Sequence, residues 1–140
     1  MEIRIAAGQD IDHLLELNSL FNGQKSTTRE WLARSLAENT QETVLIAIVD
    51  SQAAGFICGQ RMWSMCYGVH YAVITELFVR VEYRRLGIAG AMMHELEEHY
   101  RRQGIRHFEL FTGGDNLAAQ AFYIKQGYAR TDEIMFRKRP

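Results

Sequence analysis

Polar and apolar residues alternate from Glu2 to Ala6, the two-residue period of a half-buried edge strand, before Gly8 to Asp10 punctuates the chain. Ile11, Leu14, Leu15, Leu17 and Phe21 then recur at helical spacing, with Asp10 placed as N-cap and Asn22-Gly23 as the stop. Thr27 or Thr28 is positioned to cap a second helix carrying Trp31, Leu32, Ser35 and Leu36. From Thr43 the texture becomes β: Val44 to Val49 reads as a buried strand, Asp50-Ser51-Gln52 as a turn and Ala54 to Met62 as the return strand of a hairpin. Trp63 to Gly68 reads as a loop and Tyr71 to Arg80 as a long third strand of this group. Arg85 to Gln103 gives the clearest helical stripe, through Ala89, Met92, Met93, Leu96 and Tyr100, and Gly104 ends it. A strand over Ile105 to Thr112, a turn at Gly113 to Asn116 and a helix over Leu117 to Gln126 closed by Gly127 follow. One or two strands are predicted from Tyr128 onward, including Ile134-Met135-Phe136.

The resulting order is β-α-α-β-β-β-α-β-α-β-β, with hairpins early and a β-α-β crossover late. It implies an α/β fold with a mixed sheet and helices on both faces. At 140 residues, 47% apolar and 24% charged, the chain fits one ordinary globular domain over 1–140 that needs neither disulfide nor metal to hold a core. A net charge of −1 lacks the broad positive field of a nucleic-acid binder, so any basic site must be local. Cys58 and Cys66 stand without a second pair, which gives no zinc pattern or disulfide framework and suits a reducing, cytoplasmic setting. No run resembles a signal peptide or a membrane span.

The local basic site is Arg80 with Arg84 and Arg85, where a strand runs through a short turn into a helix. Gly87 lets the backbone approach a ligand, and the unpaired N–H groups of a helix start suit a phosphate or pyrophosphate. The Gly-x-x-x-x-Gly-Lys-Ser/Thr of a P-loop is absent, as are the further glycines and acidic partner of a dinucleotide fold. Taken with its neighbours, Arg84-x-x-Gly87-x-Ala89 after Glu76-Leu77-Phe78-Val79 closely resembles the acetyl-CoA motif of the GCN5-related N-acetyltransferases. Asn116-x-x-Ala119-x-Ala121-Phe122-Tyr123-x-x-x-Gly127-Tyr128 resembles that family's second signature. Two departures are Ala89, where many members carry Gly, and Arg80-Val81-Glu82 in place of a proline-containing lead into the turn.

The resemblance implies the acyl-CoA N-acyltransferase fold, a mostly antiparallel twisted sheet flanked by helices, and acetyl-CoA as donor with no metal. It further implies that backbone groups of Leu77, Phe78 and Val79 pair with the pantetheine arm. Arg84, Arg85, Leu86, Gly87, Ile88, Ala89 and Gly90 would wrap the pyrophosphate, and Asn116 would cap its helix and contact CoA. A backbone N–H near Val79 is the implied oxyanion donor. A primary amine, with a pKa near ~10, needs a base before it can attack a thioester. Glu76 is the candidate base, with His70 or a water chain as alternatives, and Tyr123 matches the family's proton donor to the thiolate. Trp31, Trp63 and Tyr67 lie in segments that flank the acceptor side in the family, and an acidic pocket drawn from some of Glu16, Glu30, Glu38, Glu42 and Glu109 would favour a polycation; the sequence leaves open which of them line the cleft. The expectation is direct transfer in a ternary complex to a small-molecule amine by a homodimer that binds neither nucleic acid nor membrane. The alternatives are a protein N-terminal or lysine acetyltransferase and a non-catalytic acyl-CoA-binding regulatory module.

Overall fold

The computed structural model describes residues 1–140, in the order β1 (Glu2–Ile5), α1 (Ile11–Asn22), α2 (Arg29–Glu38), β2 (Glu42–Val49), β3 (Gln52–Met62), β4 (Tyr71–Val79), α3 (Ile88–Arg101), β5 (Phe108–Leu110) and α4 (Leu117–Lys125). Single 3₁₀ turns at Gly8–Asp10 and Val81–Tyr83 lead into α1 and out of β4. The five strands lie side by side in chain order, β1 to β4 antiparallel and β4 to β5 parallel. The β2–β3 hairpin turns through Asp50 and Ser51, both at positive φ (49° and 65°), as a two-residue hairpin loop that follows the sheet's twist demands.

Alternation along the strands divides the core in two. Leu45, Ala47, Ala54, Ile57, Ala72 and Ile74 face α3, where Ile88, Met92, Met93, Leu96 and Tyr100 supply the helical stripe, and Phe122 and Tyr123 of α4 pack on this cluster. Ile46, Ala53, Phe56 and Cys58 face Leu14 and Leu17 of α1, with Leu32 and Leu36 of α2 at the margin. Helices thus cover both faces. Thr28 caps α2 by accepting the Trp31 N–H at 3.1 Å, and Gly23, at φ 97°, ends α1.

Three expectations are corrected. Asp10 precedes α1 without capping it: its buried carboxylate accepts both Arg4 terminal nitrogens, at 2.6 and 2.8 Å, and the Ala7 N–H at 2.8 Å. The helix predicted from Arg85 starts at Ile88, because Arg85 and Gly87 both adopt left-handed conformations (φ 65° and 77°) incompatible with an α-helix. No strand forms after α4. Once Tyr128 has docked through its hydroxyl on Glu97 at 2.6 Å, the segment runs exposed, with Ile134 76% and Phe136 92% accessible. β5 offers it only three residues of edge, and Arg130, Asp132, Glu133, Arg137, Lys138 and Arg139 leave little apolar surface to bury in return for ordering it.

Candidate acetyl-transfer site

The site begins where β4 loses its neighbour. β4 pairs with β5 only at Ala72, Val73 and Ile74, whereas its pairing with β3 continues to Val79. A bulge at Thr75 marks the change, since Cys58 pairs with Glu76 and Gly59 with Ile74. It switches the backbone phase of the strand. Before it, the Ala72 N–H points towards β5 and bonds the His107 carbonyl at 3.0 Å; after it, the Arg80 N–H points towards β3 and bonds the Ala54 carbonyl at 2.8 Å. By strand alternation Glu76 and Phe78 then spend their backbone groups on β3, and Leu77 and Val79 present theirs to the open side. Within the expected trio Phe78 differs in orientation: its backbone turns to β3 opposite Phe56, and its ring stacks on Phe21 of α1, 5.1 Å between centroids.

Side chains alternate with the same logic. Leu77 and Val79 pack towards α3, while Glu76, opposite Cys58, lies on the α1 face. Burial, and secondarily the charge of Glu42, push the Glu76 carboxyl above the ordinary carboxylate range. Glu42, at the start of β2 and beside Gln60 and Ser35, is itself raised by burial. Tyr123 of α4 is half-buried, its rings' neighbours being Phe122 and Tyr128 at 5.3 and 6.4 Å. Burial raises its hydroxyl above the ordinary phenol value, and the Glu76 charge adds to the effect. The two residues sit on opposite faces of the sheet, beside the end of β4 where β5 no longer pairs.

The turn supplies an anion cradle at the strand's end. Gly87 begins α3 without a side-chain cap, and the first bond of the helical ladder runs from the Ala91 N–H to the Gly87 carbonyl at 3.0 Å. The N–H groups of Ile88, Ala89 and Gly90 precede that ladder and carry the positive end of a fourteen-residue helix. The Ile88 side chain is core (3% exposed), so its backbone alone is free for a ligand. A Cβ on Gly87 would meet nothing within 4 Å; what the position requires is the left-handed φ. Among the arginines, Arg80 is drawn to Glu16 (3.1 Å) and Glu82 (2.9 Å), and Arg84 donates through Nε to the Val79 carbonyl at 3.0 Å. Arg85 stands exposed beside Leu86 at the rim. Asn116 caps α4 by accepting the Ala119 N–H at 3.1 Å.

Other candidates fall elsewhere. His70 precedes β4, six residues and on the order of 20 Å of strand from Glu76, with its ring stacked on Trp63 at 5.5 Å. Trp63 and Tyr67 line a hollow of about 330 Å³ in that same loop, and Trp31 is 65% exposed on α2. Cys58 is buried, and burial together with the nearby carboxylates Glu42 and Glu76 pushes its thiol well up, which keeps it protonated and poorly nucleophilic. Two relationships are not visible in the sequence. The Phe21–Phe78 stack is hidden because each residue fits an ordinary apolar stripe, and the influence of Glu42, already a candidate acid, on Glu76 because it depends on strand pairing.

Residues 9–128 match the model of the acetyltransferase (GNAT) family. The chain belongs to that family. A GNAT relative in Methanocaldococcus jannaschii, an N-acetyltransferase of uncharacterised function, is 26% identical over 140 residues, which cover 94% of this chain and 62% of the relative. Another in Archaeoglobus fulgidus is 27% identical, covering 94% of this chain and 95% of its own. Among solved structures, AAC(6')-Iy bound to the bisubstrate analogue CoA-S-monomethyl-acetylneamine superposes with a TM-score of 0.86 at 18% identity, over 99% of this chain and 97% of the other. At that identity it supports the GNAT fold alone.

Proposed function

We propose that the protein transfers an acetyl group from acetyl-CoA to a primary amine of a small molecule, by direct attack with both substrates bound. The observation that carries this reading is the gap beside β4, which begins at the Thr75 bulge, bares the backbone of Leu77 and Val79, and ends on the N-terminus of α3. A pantetheine arm fits such an edge as an added half-strand, with the pyrophosphate received by Arg84 to Gly90 and Asn116 at the rim. The thioester then lies at the gap, between Glu76 on one face and Tyr123 on the other.

In this reading Glu76, directly or through one water, takes a proton from the acceptor nitrogen, and its raised pKa makes it the stronger base. Nitrogen attacks the carbonyl carbon, the Val79 N–H stabilises the oxyanion, and the carbon–sulfur bond breaks as the carbonyl re-forms. Tyr123 gives its proton to the departing thiolate. Its own raised pKa keeps the phenol loaded at neutral pH. The protonated Cys58 thiol argues for direct transfer over an acyl-cysteine relay. AAC(6')-Iy, which shares the fold, binds an analogue that joins CoA to acetylneamine, and small amines of that kind are therefore the first acceptors to test.

The test is release of free CoA from acetyl-CoA over a panel of polyamines, aminoglycosides, amino-acid derivatives and peptides with free N-termini or lysines. Turnover on a small amine is expected. Turnover confined to peptides would replace the acceptor class, and CoA binding without turnover on any amine would make the protein a binding module. The homodimer and the cytoplasmic setting rest on the family resemblance and on cysteine usage; sedimentation velocity tests the first and fractionation of the native host the second.

A further inference from the structure

Arg84 occupies the edge that the donor is read to use. Its Nε donates to the Val79 carbonyl at 3.0 Å in a part-buried contact, and its guanidinium carbon lies 6.0 Å from the centre of the Phe78 ring. The direction of that carbonyl follows from its peptide. The Arg80 N–H bonds Ala54 of β3 at 2.8 Å, and a trans peptide aims its carbonyl opposite to its N–H, so the Val79 oxygen points away from β3 and into the gap. Val79 is the last residue of β4, and its oxygen is thus the open acceptor closest to the anion cradle. A cationic side chain covers it.

We propose that Arg84 selects the donor: it closes the end of β4 against thioesters that lack a pyrophosphate, and a bound pyrophosphate draws it off. The inference rests on the acetyl-CoA reading above and adds a selectivity to it. A guanidinium-to-carbonyl bond is charge-assisted and outcompetes a neutral amide N–H for the same oxygen. A pyrophosphate gives the guanidinium a better partner than a carbonyl, because both members are then charged and the pairing is two-pronged. Arg84 follows the turn out of β4 and stands three residues before Gly87, which opens α3, so the exchange is read as a side-chain rotation with no movement of the sheet. Pantetheine alone offers the guanidinium only neutral acceptors, no better than the Val79 carbonyl, and must bind against it.

The two ligands must therefore respond to Arg84→Ala with opposite signs. Binding of CoA and of pantetheine is measured on the full chain for the wild type, Arg84→Ala and Arg85→Ala, with circular dichroism to verify the fold of each. Arg84→Ala is expected to bind CoA about tenfold more weakly and pantetheine about tenfold more tightly, the scale of one hydrogen bond to a charged group. Arg85→Ala, whose side chain covers no carbonyl, is expected to weaken CoA and leave pantetheine unchanged. Equal or weaker pantetheine binding by Arg84→Ala, or none detectable by either protein while CoA binds, overturns the inference. Absence of CoA binding to the wild type would instead remove the donor reading beneath it.

Discussion

Asp10→Asn should destabilise the fold at its N-terminal corner by about 2–3 kcal/mol. The Asp10 side chain is 2% exposed and receives three hydrogen bonds, two from the Arg4 guanidinium and one from the Ala7 N–H, which tie β1 to the entry of α1. Asparagine preserves the shape but not the charge, and turns one acceptor oxygen into a donor facing a guanidinium. One-sided loss of a fully buried pair costs ~3–5 kcal/mol. Arg4 is 31% exposed and keeps its ion pair with Glu2 at 2.8 Å, which trims the figure. In a chain of this length the change lowers the melting temperature by roughly 6–12 °C. The pH dependence fixes the cause. The folded-state pKa of Asp10 is held down, chiefly by the hydrogen bonds from Arg4, so its contribution is complete above the unfolded carboxylate's pKa of ~3.9 and disappears as pH falls through the folded value. Urea titrations at several pH values should show a constant gap between wild type and variant from about pH 5 to 8, closing below about pH 4. A gap under ~0.5 kcal/mol at neutral pH, or one that widens in acid, would refute the reasoning.

Three further outcomes are expected. Tyr123→Phe should lower kcat by about 10²–10⁴-fold, the range for loss of a general acid, with CoA affinity nearly unchanged; a loss seen only in CoA binding would remove Tyr123 from the proton transfer. Glu76→Gln should move activity to higher pH, where more of the amine is free. It should also gain stability relative to wild type as pH rises, because the raised folded pKa of Glu76 makes wild-type stability fall through that titration; parallel stability profiles would count against it. Gly59→Ala would set a Cβ 2.8 Å from Tyr100 Cε2 and 3.0 Å from Leu96 Cδ2, both on fully buried side chains, at a cost of ~1–3 kcal/mol readable by denaturation.

What the sequence displayed were the local determinants. The stripe through Met92, Met93 and Leu96, the Thr28 cap and the Gly23 stop are each legible because the residue and its conformational need lie within one turn of chain. Asp10 looks like a cap in sequence but does not act as one, because its partner, Arg4, comes from the strand that folds back against it, and short polar side chains take whichever donors tertiary structure brings near. The strands expected after Tyr128 illustrate the reverse failure: Ile134-Met135-Phe136 has strand propensity, but propensity without a paired edge or a covering face does not hold a strand.

The candidate site was legible as a list of residues and not as an arrangement, and the Thr75 bulge is the reason. Without it, the even-numbered residues of β4 that face β5 at Ala72 and Ile74 would go on facing it, leaving Glu76 and Phe78 with backbone groups in the gap and their side chains on the α3 face. One extra residue reverses both assignments. Leu77 and Val79 acquire the free edge, and Glu76 turns to the α1 face, so that in the proposed reaction donor and base would reach the same opening from different directions. The Thr75 hydroxyl, 3.3 Å from the Cys58 carbonyl, braces the strand against β3 at the point where it changes phase. No propensity marks a threonine in a β-rich run as a bulge, since the signal lies in the register with β3 and in the place where β5 stops. The chemistry read from Glu76 and Tyr123 therefore depends on a residue that carries none.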